Sequence, residues 1–131
     1  MRRLTVLCHS YTPHPGTLVP RDLLYSQAIW EGQNLLLEEF EDVVLMGLGV
    51  PTPTGVFGTT IGLAELHGAD RVVDIPAAEN GITGVALGAS LMGFRPILVH
   101  PRVDFAVLSM EQIVNQLRSG TTCTGGLQQH R

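Results

Sequence analysis

Three short apolar runs, separated by stretches with helical spacing, constrain this chain most. They are Val43-Val-Leu-Met46, Arg71-Val-Val73 and Ile97-Leu-Val99. Continuous apolar runs of this length fit strands buried on both faces. Between them the apolar residues recur with the helical period. Helix and strand therefore alternate, which predicts parallel βαβ units with right-handed crossovers. The expected fold class is α/β, a parallel sheet flanked by helices. With 131 residues, 44% of them hydrophobic and 15% charged, the chain can build one domain with a buried core. Neither an internal repeat nor a domain boundary is visible. Three short strands make a thin sheet, so the domain is expected to be incomplete at its carboxyl end.

Local signals fill in the elements. Tyr25 to Phe40 reads as a helix with Ala28, Ile29, Leu35, Leu36 and Phe40 as its apolar stripe and Asp22 as N-cap. Gly47 to Gly58 is a long strand-to-helix loop, of the kind that often carries function. Thr59 or Thr60 is expected to cap a short helix ending at Gly68. Pro76 stops the second strand, and a helix from Glu79 to Met92 is stopped by Gly93. Asp104 is expected to cap a helix carrying Phe105, Leu108, Ile113 and Leu117, followed by irregular chain over 119–126. Residues 1–24 form a leader, with Leu4–Cys8 a candidate strand and Thr12–Gly16 a turn-rich loop.

Composition excludes several classes of function. Net charge is −4, and no cluster of Lys or Arg exists beyond Arg2-Arg3, so nucleic acid has no electrostatic footprint. No apolar run approaches a membrane span. Pro13, Pro15 and Pro20 spoil the amphipathic helix that a transit peptide would need. Cys8 and Cys123 are too far apart for a disulfide framework or a zinc site, and a reduced, cytoplasmic setting is the expectation. His9 and His14 read as solvent-exposed loop residues. Ser109, His67 and His100 lack a partner at a nucleophile–base spacing and read as structural.

The candidate chemistry lies in Asp74–Gly88. Glu79 should stand at a helix start, at the carboxyl end of a strand, the edge where open α/β sheets bind ligands. Two roles fit it. A carboxylate there is favoured by the helix dipole alone; alternatively it protonates or orients a ligand nitrogen. Gly81, Gly84 and Gly88 share one helical face, and each is costly inside a helix. Close approach of another backbone, in this chain or across a subunit interface, is the expected compensation. A phosphate loop is disfavoured because neither nucleotide-binding glycine fingerprint is present. Phe105 is either an ordinary core aromatic or a ring that stacks on a flat heterocycle.

Several motifs, in order and spacing, resemble one family. They are Tyr25-Ser-Gln-Ala-Ile29, Gly55-Val-Phe-Gly58, Asp70–Pro76, Ala78-Glu-Asn-Gly-Ile-Thr-Gly84, Gly88–Pro96, Asp104-Phe105, Met110-Glu-Gln-Ile-Val-Asn115 and Thr124-Gly-Gly126. Over about Tyr25 to Gly126 the chain is similar to the β subunit of 2-oxo acid dehydrogenase E1 components. The resemblance implies a transketolase-like pyrimidine-binding domain, taken here as residues 25–131 in part, of a thiamine-diphosphate enzyme. It implies that Glu79 hydrogen-bonds ring nitrogen N1′ as the catalytic carboxylate. Glu79, Phe105 and Ala77 would contact the aminopyrimidine, with Phe105 stacked on it. In a largely apolar pocket the Glu79 pKa would rise, so that the proton could be shared. The implied reaction is oxidative decarboxylation of a 2-oxo acid such as pyruvate, with the cofactor as electron sink.

The implied partners are an E1 α-type subunit, which would hold most of the Mg²⁺ contacts, a second β copy and an E2 acyltransferase. No metal ligand is assigned to this chain. The pattern departs from the family in three places. The family's Gly-Glu-acid-Val reads Gly47-Leu48-Gly49-Val50 here, so two acids are replaced. The Ser before the glutamate is Ala78. The chain also stops short of the family's domain, and a truncated gene product with little turnover alone is expected. The competing functions are a non-catalytic subunit-interaction module and a transketolase- or deoxyxylulose-phosphate-synthase-like transferase.

Overall fold

A computed structural model describes residues 4–6 and 21–117. Strand β1 (Leu4–Val6) pairs antiparallel with β2 (Arg21–Leu23). Helix α1 (Tyr25–Glu39) leads to β3 (Val43–Gly47), α2 (Leu63–His67) to β4 (Val72–Asp74), and α3 (Glu79–Leu91) to β5 (Arg95–Val99). Helix α4 (Val103–Val107) and a π-helical turn (Gln112–Leu117) follow. The three later strands form the expected parallel sheet, in the order β4-β3-β5. The β1–β2 ribbon was not foreseen, since its second strand falls in the segment read as a leader. His9, His14, Cys8, Cys123 and residues 119–126 lie outside the described residues.

The core sits between the sheet and α1 and α2, around Leu37, Leu45, Val50, Leu63 and Val72, each essentially inaccessible. Trp30, Phe40, Ile97 and Val99 pack against it. Leu45 is the middle residue of the middle strand, flanked by Val72 and Ile97 across the ladders. The α1 stripe is phased differently from the sequence expectation. Leu37 is buried and Trp30 partly so, whereas Leu35 and Leu36 are exposed. Trp30 turns inward because its indole N–H donates to the Ile61 carbonyl at 2.7 Å. That bond sets the rotation of the helix.

Three expected caps are also corrected. Asp22 lies in β2; the residue before α1 is Leu24, whose N–H is taken by the Gln27 side chain at 2.9 Å. Thr59 and Thr60 do not cap α2, which starts after Gly62 at φ +73°. Their hydroxyls are spent inside the preceding loop. Asp104 does not cap one long helix either. Arg102 occupies the cap position of α4, which ends at Val107 before the chain tightens through Leu108 and Ser109. Ser109 is fully buried and its hydroxyl reaches the Glu79 carbonyl at 3.1 Å, which pulls the helix out of register.

Strand β5 begins two residues earlier than expected. Arg95 N–H bonds the Asp42 carbonyl, so Pro96 turns its missing N–H toward the open edge and is tolerated. Gly93 at φ +98° stops α3 as expected.

Candidate functional site

The carboxyl ends of β3, β4 and β5 lie side by side, with Gly47 in register with both Asp74 and Val99. Three loops leave this edge. Gly47 is required there, because a Cβ would meet the Val99 carbonyl oxygen at 2.6 Å. Asp74 braces two of the loops: its Oδ1 accepts the Gly49 N–H at 2.8 Å and the Ile75 N–H at 3.1 Å. The first loop is further tied by Thr60, fully buried, whose Oγ1 accepts the Val56 N–H and donates to the Val50 carbonyl. At its tip Phe57 adopts φ +49° and is 73% exposed. A non-glycine residue in that region is uncommon, and such strain collects at sites of contact.

Glu79 is the first residue of α3 and half-buried. Its carbonyl accepts the hydroxyls of Thr83 at 2.7 Å and Ser109 at 3.1 Å. Among the described residues nothing hydrogen-bonds its carboxylate, which the N-terminal end of the helix favours. Backbone anchoring with an uncommitted carboxylate leaves the group able to accept or donate one hydrogen bond to a ligand. Ala77, exposed, precedes it by two residues in the β4–α3 loop.

Phe105 lies in α4, partly buried, with the Arg102 guanidinium carbon 5.1 Å from its ring centroid. Arg102 also meets Asp104 at 3.4 Å. Glu79, Ala77 and Phe105 share the carboxyl edge of the sheet, and three clefts formed among the described residues include none of them.

The clefts lie elsewhere on the same end. One of about 660 Å³ runs beside β5, among Tyr25, Ser26, Phe57, His100 and Arg102. A second, about 390 Å³, lies under Phe57 against Leu48, Thr52 and Pro101. A third, about 400 Å³, opens on the other face of β5 between Leu87, Leu98, Ile113 and Leu117. Sequence reasoning did not foresee Asp74's brace, the loop contacts of Thr60 or the place of Arg102. The one available signal was the placement of Asp74 at a strand end, where a short carboxylate can accept nearby backbone N–H groups.

The α3 glycines do not meet another backbone among the described residues. Gly81 and Gly88 face open space, and Gly84 faces the Gln112 side chain at 3.2 Å. Val85 and Met92 on the same helix are 59% and 81% exposed. His67 bonds Asn34 at 2.8 Å, consistent with a structural role. Among the described residues no group of three His, Cys, Asp or Glu could hold a metal ion, and no helix is long and apolar enough to cross a membrane.

The family model described as transketolase, pyrimidine binding domain, matches residues 22–127. The chain is 33% identical over 102 residues to the mitochondrial pyruvate dehydrogenase E1 component subunit beta of Bos taurus, covering 78% of this chain and 28% of that protein. It is 40% identical over 86 residues to the Rhizobium meliloti pyruvate dehydrogenase E1 component subunit beta, covering 66% and 19%. The Staphylococcus epidermidis subunit is 37% identical over 100 residues, covering 76% and 31%. The chain thus spans under a third of the length of these relatives. Sheet, helices and match together place it: the chain belongs to the transketolase pyrimidine-binding domain family, and the relatives it resembles are pyruvate dehydrogenase E1 β subunits.

Proposed function

We propose that the chain serves as the β-type, pyrimidine-binding component of a thiamine-diphosphate-dependent 2-oxo acid dehydrogenase. The observation that carries this is Glu79. Its backbone is pinned by Thr83 and Ser109 at the ligand-binding edge of the sheet, and its carboxylate has no partner among the described residues. Those residues fit an aminopyrimidine: a free carboxyl for a ring nitrogen, the small Ala77 beside it, and an aromatic ring at Phe105.

Glu79 would hold and share a proton at N1′. Ala77 would leave room for the ring, and Phe105 would stack on it. Thiamine diphosphate, when bound, supplies the carbon acid and electron sink that decarboxylation of a 2-oxo acid requires. This chain's contribution is then to orient the ring and hold one proton. An E1 α-type subunit would take the diphosphate and Mg²⁺, with a second β copy completing the assembly. The exposed face of α3, with Gly81, Val85, Gly88 and Met92, supports a subunit contact.

A second function, a non-catalytic interaction module, is favoured by one observation: three clefts formed among the described residues include neither Glu79 nor Phe105. Calorimetry separates the two. Thiamine diphosphate and Mg²⁺ titrated into the chain with an α-type partner should give a saturable heat. Absence of heat at every ratio would support the interaction module.

A further inference from the structure

We propose that Arg102 forms an anion subsite that takes the carboxylate of a small organic acid beside Phe105. Arg102 follows the carboxyl end of β5, and its side chain, 63% exposed, lines the 660 Å³ cleft with Tyr25, Ser26 and His100. Its guanidinium is held loosely. One nitrogen meets one oxygen of Asp104 at 3.4 Å, and Asp104 is itself 61% exposed. Exposed pairs at such distances are weak. The ring of Phe105, 5.1 Å away, steadies the planar cation without using its donors.

Among the described residues most of the guanidinium fork is therefore unspent, and its geometry matches a carboxylate through two parallel N–H···O bonds. An incoming acid would displace the Asp104 contact and leave the cation seated over Phe105. The apolar rim made by Phe57 and Val103, 73% and 82% exposed, suits a short alkyl substituent. The ligand class is thus a small monocarboxylate with a compact apolar tail. The choice of a 2-oxo acid within that class rests on the proposed function. A captured acid would lie next to the ring which that function gives to the cofactor.

The test is a nuclear magnetic resonance titration of the full chain with pyruvate, without cofactor, and with acetone as the uncharged control. Pyruvate should move the Phe105 ring protons and the Arg102 side-chain N–H to saturation, and acetone should not. Arg102→Gln should weaken pyruvate roughly tenfold, and Arg102→Lys should recover part of the loss, as expected when one bidentate charged contact is removed. Asp104→Asn, which removes the competing acid, should tighten pyruvate. Glu79→Gln should leave the titration unchanged, so that failure of the proposed cofactor role is read separately, in the thiamine-diphosphate heat. Unchanged pyruvate binding in a folded Arg102→Gln, equal shifts with acetone, or no saturable shift at Phe105 would overturn the subsite.

Discussion

At the scale of single residues, the carboxyl edge of the sheet is shaped by small polar groups that accept backbone N–H donors. Thr60 illustrates the energetics. Thr60→Val keeps the volume but strands the buried Val56 N–H and Val50 carbonyl. We expect a loss of about 1–3 kcal/mol in chemical denaturation, the usual cost of unsatisfied buried groups. Thr60→Ser should restore most of it. Gly47→Ala should also be destabilising, because the added methyl would meet the Val99 carbonyl at 2.6 Å and neither strand can retreat without breaking the ladder. A lowered thermal midpoint with an otherwise native spectrum would confirm it.

Glu79 was legible in the sequence as a carboxylate at a strand-to-helix junction, because Pro76 and Gly93 bracket the element clearly. Thr60 was misread as a cap because a threonine before a helix normally caps it. Only tertiary structure shows the hydroxyl turned back to Val50 and Val56. Arg102 was invisible for a similar reason: its significance comes from a ring and a cleft assembled by three separate segments.

At the scale of elements, the strand and helix order was legible because continuous apolar runs and helical periods differ sharply. Boundaries were less so. The break after α4 follows from Ser109 reaching the Glu79 carbonyl, a contact 30 residues away in sequence that no local pattern encodes. The phase of α1 was misjudged because Leu35, Leu36 and Leu37 are equally apolar. The Trp30–Ile61 bond decides that Leu37 faces the core.

Helix α3 makes a prediction in two directions. Gly88 faces open space, so Gly88→Ala should stabilise the isolated chain by about 0.5–1 kcal/mol through helix propensity. Assembly with subunits through that face should be weakened by the same change, as measured by sedimentation. Stabilisation with unaltered assembly would remove α3 from the interface.

The starts of β3 and β5 are joined by Arg95 and Asp42, which form a two-pronged contact at 2.8 and 2.6 Å. The hydrogen bond from Arg95 holds the Asp42 carboxyl below its ordinary range. A carboxyl lowered in the folded state stabilises the fold above its unfolded pKa, and that contribution disappears as pH falls through the folded value. Asp42→Asn should therefore lower stability slightly near neutrality and flatten a small part of the acid limb, the difference from the parent chain vanishing as pH falls through the folded pKa. The effect is modest because both groups are exposed.

At the scale of the whole molecule, the fold class could be inferred before any coordinates because the alternation of elements admits few topologies. The assembly of the site could not. Glu79, Ala77 and Phe105 reach one edge of a three-stranded sheet from two loops, and clefts among the described residues open beside β5.

The central claim is that Glu79 receives the cofactor's ring nitrogen. Calorimetric titration of thiamine diphosphate with Mg²⁺ into the chain and an α-type partner, compared between Glu79 and Glu79→Gln, tests it most directly. Loss of a charged hydrogen bond should weaken binding by about 1.5–3 kcal/mol, roughly ten- to a hundredfold in Kd, with an unchanged circular dichroism spectrum. Equal affinity for the two proteins would contradict it.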